Sequence, residues 1–147
     1  GYPLSCFEDA VRRLRSEDIE VIVHTILGLP GESTQDILNT MKYLNHQDIQ
    51  GIKLQLLHVL QGTDLASDYE KGLFRTYERD EYISLVISCL EHLRPDMVIH
   101  RITGDGPKDL LIAPLWASRK REVLNLLHHQ MKENHNYQGR QTNWQIN

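Results

Sequence analysis

The feature that most limits how this chain can fold is an alternation. Three short apolar, β-branched runs are separated by segments with helical periodicity: Ile19-Glu20-Val21-Ile22-Val23-His24-Thr25-Ile26-Leu27, then Ile52 to Val59, then Met97-Val98-Ile99-His100. Strands that alternate with helices pair in parallel through right-handed βαβ crossovers. The runs are apolar at nearly every position, which predicts a sheet covered on both faces. Ser5 and Glu8 have capping-box spacing, and Phe7, Ala10, Val11 and Leu14 follow at helical intervals, predicting a helix over 5–17. Ser33 opens a second helix with Ile37, Leu38, Met41 and Leu44 on one face. A third covers 79–93, with Tyr82, Leu85, Val86, Cys89, Leu90 and Leu93 as its stripe and Pro95 as its stop. A last helix covers 116–133. The reading is one α/β domain over 1–133, followed by a loose polar tail over 134–147.

At 147 residues the chain is too short for a complete (β/α)₈ barrel of about 250 residues. Apolar residues are 40% and charged residues 24%, which predicts a packed core and excludes wholesale disorder. The net charge of −4 is unevenly spread: residues 1–100 carry 9 basic and 16 acidic side chains, residues 101–147 carry 7 and 4. No apolar run reaches the length of a membrane span and no signal-peptide pattern opens the chain, so a cytoplasmic, membrane-free protein is expected. Cys6 and Cys89 lie far apart, which excludes a disulfide framework, a CxxC pair and a cysteine-only metal or cluster site within these residues. The first residue is Gly and a helix follows without a strand before it, so a piece of a longer protein is expected.

Parallel α/β folds place their chemistry at the carboxyl ends of the strands. Three segments qualify: His24 to Glu32, Gln55 to Asp64 and His100 to Asp109. Gly28-Leu29-Pro30-Gly31 allows a tight turn and a close backbone approach to a ligand, and matches neither GxGxxG nor GxxxxGK[ST]. It is equally a plain strand-to-helix turn with Glu32 beside a helix N-terminus. His24, His58 and His100 stand near strand ends, as hydrogen-bonded structural residues or as members of a shared site. No paired-ligand spacing such as HxxxH joins them, so no metal site is assigned. Arg101 with Gly104-Asp105-Gly106 could cradle an anion, or be a glycine turn. Arg119, Lys120, Arg121, Lys132 and Arg140, with His128, His129 and His135, form a solvated helix face or an RNA- or protein-interaction surface with Trp116, Tyr137 and Trp144 as stacking groups.

His24-Thr25-Ile26-Leu27-Gly28-Leu29-Pro30-Gly31-Glu32 resembles the fifth-strand motif of radical S-adenosylmethionine (SAM) enzymes. It is joined by Gly51-Ile52-Lys53-Leu54-Gln55-Leu56-Leu57-His58-Val59-Leu60-Gln61-Gly62-Thr63, by Val98-Ile99-His100-Arg101-Ile102-Thr103-Gly104-Asp105-Gly106-Pro107 and by Ile112-Ala113-Pro114-Leu115-Trp116. Together these resemble the YhcC-like bacterial radical SAM proteins, labelled Fe–S oxidoreductases and related in their SAM domain to the elongator catalytic subunit. The resemblance extends to about Tyr137-Gln138-Gly139.

The resemblance implies the C-terminal half of a (β/α)₆-type partial TIM barrel. The full-length protein would carry SAM and a [4Fe–4S] cluster and reductively cleave SAM to a 5′-deoxyadenosyl radical. Ile26 and Gly28 would pack near the adenine, Glu32 would hold the turn, and His58 and Val59 would line the adenosine side. His24, Gln55, His100, Arg101 and Asp105 are then substrate-side candidates, the substrate being an unidentified small molecule or RNA. CxxxCxxC is absent and belongs to the N-terminal half of the same barrel, the expected partner. The isolated piece is therefore expected to bind no cofactor, to be inactive and to self-associate through its open edges. A phosphate-ligand α/β-barrel protein and an RNA- or protein-interaction module are the rival readings.

Overall fold

The computed structural model describes residues 2–104 and 106–144. Its elements are α1 (Leu4–Ser16), β1 (Ile22–Leu27), α2 (Thr34–Asn45), β2 (Gly51–Leu56), β3 (Val59–Leu60), α3 (Asp64–Glu70), α4 (Arg79–His92), β4 (Val98–Arg101), β5 (Leu111–Ala113), a 3₁₀ turn (Leu115–Ser118) and α5 (Lys120–Glu133). β1, β2 and β4 form a parallel sheet in that order, with Ile22 opposite Gly51 and Gly51 opposite Val98. β4 carries an irregularity that sets Arg101, rather than His100, opposite Lys53. β3 and β5 make a separate antiparallel ladder.

Strands added in sequence order, each by a right-handed crossover, step in one direction and put every helix on the same face. A sheet covered on both faces needs the order to reverse, and here it does not. This corrects the expectation of two covered faces. The helix side holds the core: Ile52, Leu54 and Leu56 of β2 pack with Ile37, Met41 and Leu44 of α2, Ile83, Val86 and Leu90 of α4, and Val123 and Leu127 of α5. On the other face Ile22, Ile26 and Val98 are exposed at 37, 47 and 54%. The arrangement is a strip of partial barrel, α/β with parallel strands alternating with helices.

Other corrections follow local chemistry. The Ser5–Glu8 box does not form: α1 starts at Leu4 behind Pro3, with no side-chain cap. Ser33 does form one with Asp36, the hydroxyl accepting from Asp36 N–H and the carboxylate from Ser33 N–H. β1 begins at Ile22 rather than Ile19 because Asp18 adopts φ 56 and Ile19 N–H bonds back to Leu14 O, ending α1. β2 ends at Leu56; the chain then leaves the sheet, and Val59 pairs with Ala113 instead. The expected helix over 116–133 is a 3₁₀ turn and α5, broken at Arg119.

Within the tail, residues 138–141 dock against the end of α4. α4 ends just before Pro95, leaving carbonyls without helical donors. Gly139 N–H bonds to Leu90 O, Gln141 N–H to Glu91 O, and the Gln138 amide to the carbonyls of Arg94 and Met97 at 2.9 and 2.7 Å. Gly139 is required there: at φ 83, a Cβ would stand 2.6 Å from Pro95 Cγ. Beneath lies Arg94, 8% exposed. Its guanidinium donates to the carbonyls of Asn45, Gln47 and Ile49, capping α2, and pairs with Asp96 at 3.0 Å. Asn45 returns two bonds, accepting Arg94 N–H and donating to His92 O.

Candidate functional site

Side chains alternate along a strand, and that decides which candidates meet. With Val23, Thr25 and Leu27 turned toward the helices, His24 and Ile26 stand on the bare face. Lys53 and Gln55 of β2 share it, since Ile52, Leu54 and Leu56 are buried on the other side. His100 belongs to it as well: its ring lies over Gly51, where a Cβ would meet the ring at 2.6 Å.

The bare face thus brings together His24, Ile26, Gln55 and His100. Register sets their heights. His24 is level with Lys53, and Ile26 with Gln55, one layer nearer the carboxyl edge. His100 follows Ile99, the partner of Ile52, so it sits at about the height of His24. His24 and His100 are therefore mid-sheet residues two strands apart, rather than strand-end residues as expected. The Gln55 amide nitrogen lies 3.1 Å from His24 Nδ1 and ties β1 to β2 across this face.

Gly28, Glu32 and His58 lie beyond the strand ends, on the carboxyl side. Gly28 has φ 91, and the direction a side chain would take is filled by the Tyr77 ring at 3.0 Å. Glu32 N–H closes the turn onto Leu29 O at 3.1 Å. The carboxylate of Glu32 has one oxygen, Oε2, buried without a hydrogen bond. Burial, and then repulsion from Asp36, pushes its pKa up, partly offset by a hydrogen bond with the Leu29 backbone. A cavity of about 290 Å³ lies between this turn and residues 73–77. Glu32 thus stands in the turn that follows β1.

His58 occupies the gap between β2 and β3. A Cβ on Gly104 would come within 2.5 Å of its ring, and one on Gly106 within 2.7 Å. Those glycines make room for an imidazole, which is a sufficient reason for both. Asp105 lies outside the described residues. Val59 is fully buried in a satellite core with Ala66 and Ala113, and its side chain faces no open surface. Arg101 and His128 line a second cavity of about 430 Å³ between β4, α4 and α5.

Trp116 is not free to stack on a base. Its indole N–H donates to Tyr77 O at 3.0 Å, and the ring packs on Tyr82, 5.5 Å between centroids. One structural residue escaped the sequence reading, Arg94; Tyr82, expected in the stripe of α4, also donates its hydroxyl to Ile102 O.

Cys6 is exposed on α1, whereas Cys89 is buried in α4, where desolvation pushes its thiol up to about 12. Among the described residues no three His, Cys, Asp or Glu groups converge as a metal site. Nor is any described helix long and apolar enough to cross a membrane.

Residues 49–133 match the Radical_SAM C-terminal domain. The Bacillus subtilis (strain 168) protein YtqA is 40% identical over 140 residues, which are 95% of this chain and 44% of that protein. The Escherichia coli (strain K12) protein YhcC is 29% identical over 120 residues, 82% of this chain and 39% of that one. The chain therefore spans less than half the length of these relatives. Among solved structures, the Elp3 of the archaeon Methanocaldococcus infernus superposes with a TM-score of 0.77 at 18% identity, covering 94% of this chain and 32% of that one.

Proposed function

Since this chain belongs to the Radical_SAM C-terminal domain family, we propose that it forms the C-terminal half of the partial barrel of a radical SAM enzyme, its bare sheet face being the barrel interior. The observation that carries the reading is that face. Ile22, Ile26 and Val98 lie open beside His24, Gln55 and His100, and β1 and β4 each have one unpaired edge among the described residues. An exposed apolar sheet face with free edges is unfavourable unless something covers it. The further barrel strands of a longer polypeptide are suited to do so, and without them the chain is expected to self-associate.

The residues present do not fit an iron–sulfur cluster. Two distant cysteines, one with its thiol pushed up to about 12, offer no three-thiolate site, so the cluster has to be held elsewhere in the polypeptide. They do fit SAM. Ile26 presents an apolar surface of adenine-binding character beside Gln55, whose amide can hydrogen-bond, and the turn at Gly28–Glu32 stands just above them. When bound there, SAM supplies radical chemistry on one-electron reduction by that cluster. Glu32 keeps the turn closed, Gln55 orients the His24 ring, and the glycines at 104 and 106 hold His58 at the carboxyl mouth.

The test uses the intact polypeptide that carries this chain. It is expected to contain CxxxCxxC upstream, to take up one [4Fe–4S] cluster on anaerobic reconstitution, and to release 5′-deoxyadenosine from SAM on reduction. Absence of cluster-dependent SAM cleavage would overturn the reading.

A further inference from the structure

A relay of aromatic side chains joins two loops of the carboxyl mouth. It starts at Gly28, where φ is 91 and the place of a side chain is taken by the Tyr77 ring, 3.0 Å from where a Cβ would stand. The Tyr77 hydroxyl is hydrogen-bonded to the Thr34 side chain, and the Tyr77 carbonyl accepts the Trp116 indole N–H at 3.0 Å. Trp116 packs on Tyr82, 5.5 Å between centroids, and the Tyr82 hydroxyl donates to Ile102 O at 2.8 Å. Gly28 follows the last residue of β1 and Ile102 the last residue of β4. Loops from the two outer strands of the sheet are thus linked through side chains that pack on the core.

Glycine is the residue least able to hold a backbone conformation by itself. A Cβ at position 28 would exclude the ring, so Gly28 and Tyr77 require each other. Beside the ring lies the cavity of about 290 Å³ between residues 28–32 and 73–77, so Tyr77 supports the turn from across an otherwise open gap. At the far end Tyr82 is fully buried and Trp116 half-buried, which anchors the relay in the core. A ligand that rests on such a turn meets a backbone already arranged. Its apparent affinity scales with the fraction of molecules so arranged.

We infer that Tyr77 and Trp116 are positioning residues for SAM: they hold the Gly28–Glu32 turn in its binding conformation and tie it to the segment after β4. The inference rests on the reading of this chain as the SAM-binding half of a barrel. It gives Trp116, which ends the Ile112–Trp116 motif, a task other than stacking on a ligand.

The test uses the intact polypeptide with its cluster reconstituted, and SAM binding by equilibrium dialysis, which reads affinity apart from the number of sites. Tyr77→Ala is expected to weaken SAM binding about tenfold, as when the competent fraction falls to about a tenth, with cluster uptake and site number kept. Tyr77→Phe keeps the ring on Gly28 and should recover most of the loss. Trp116→Phe keeps a ring against Tyr82 but removes the N–H, and should weaken binding about two- to threefold. Gly28→Ala should cost less affinity in the Tyr77→Ala background than alone. A purely structural relay would lower the number of sites or the unfolding free energy and leave the dissociation constant of the folded molecules as it was. That outcome in Tyr77→Ala, or in Trp116→Phe where the alanine variant does not fold, overturns the inference. So does an equal cost of Gly28→Ala in both backgrounds. A wild-type polypeptide that neither binds nor cleaves SAM strikes the radical SAM reading itself, and this inference with it.

Discussion

The amide nitrogen of Gln55 and Nδ1 of His24 are 3.1 Å apart, joining two parallel strands through side chains on the face that no helix covers. An amide N–H₂ can only donate, so Nδ1 accepts, and the neutral ring carries its proton on Nε2, directed away from Gln55. The pair fixes a tautomer as well as a position. Nitrogen-15 spectra are expected to show His24 protonated at Nε2 in its neutral form. Gln55→Leu should return the ring to a mixture of tautomers. A ring protonated at Nδ1 in the native chain would mean that the amide is turned the other way.

Arg94 serves three carbonyls at the end of α2 and lies buried beneath the tail. Arg94→Ala leaves those carbonyls without their donor and is expected to lower unfolding free energy by about 3–5 kcal/mol, the usual cost of breaking a buried charged network. Arg94→Lys should recover little, because one ammonium cannot span three carbonyls. Urea unfolding measures both. A loss below about 1 kcal/mol in the alanine variant would show that water replaces the guanidinium.

Gly104→Ala puts a methyl group within 2.5 Å of the His58 ring and 3.1 Å from Leu56 O. Overpacking of this kind costs about 1–3 kcal/mol. The cost should shrink when His58 is also replaced by alanine, a coupling that a double-mutant cycle reads directly. At Gly31, where no atom lies within 4 Å of a Cβ, alanine meets only the strain of φ 82, and removing His58 should not help.

Glu32 has its pKa raised in the folded chain, chiefly by burial. A raised folded pKa means that the protonated carboxyl is the better-accommodated form. The contribution to stability is full below the unfolded value of 4.5 and is lost as pH rises through the folded value. Glu32→Gln should abolish this fall on the alkaline side of 4.5 while keeping an acceptor for the Leu29 backbone. Unfolding curves at a series of pH values decide it. An unchanged pH dependence in the glutamine variant would remove Glu32 as its source.

The parallel sheet and the larger helices were legible because each expresses a long-range period: apolar β-branched runs for the strands, and stripes such as Tyr82, Leu85, Val86, Cys89 and Leu90 for α4. β3, β5 and α3 were not, since elements of 2, 3 and 7 residues are too short for a period to show. Membership of one face was half legible. The sequence places His24, His58 and His100 near strand ends, but only the register puts His24 and His100 at mid-height and lifts His58 out of the sheet. Arg94 gave little signal, because an arginine between a helix stripe and Pro95 looks like any polar helix terminus. The docking of Gln138, Gly139 and Gln141 was likewise invisible, since their targets are backbone carbonyls, which leave no imprint on residue type.

The way residues 138–141 close the end of α4 has a consequence for synthesis. A chain emerging from the ribosome presents α4, β4 and Arg94 well before the segment that saturates their carbonyls. Until Gln138, Gly139 and Gln141 appear, the junction of α2, α4 and β4 has to rely on water for the bonds they make. The three strands can already have met by then, so maturation of this domain ends at its helix termini and not in its sheet. Slow translation just before residues 138–141 would prolong the interval in which that corner is open to proteases.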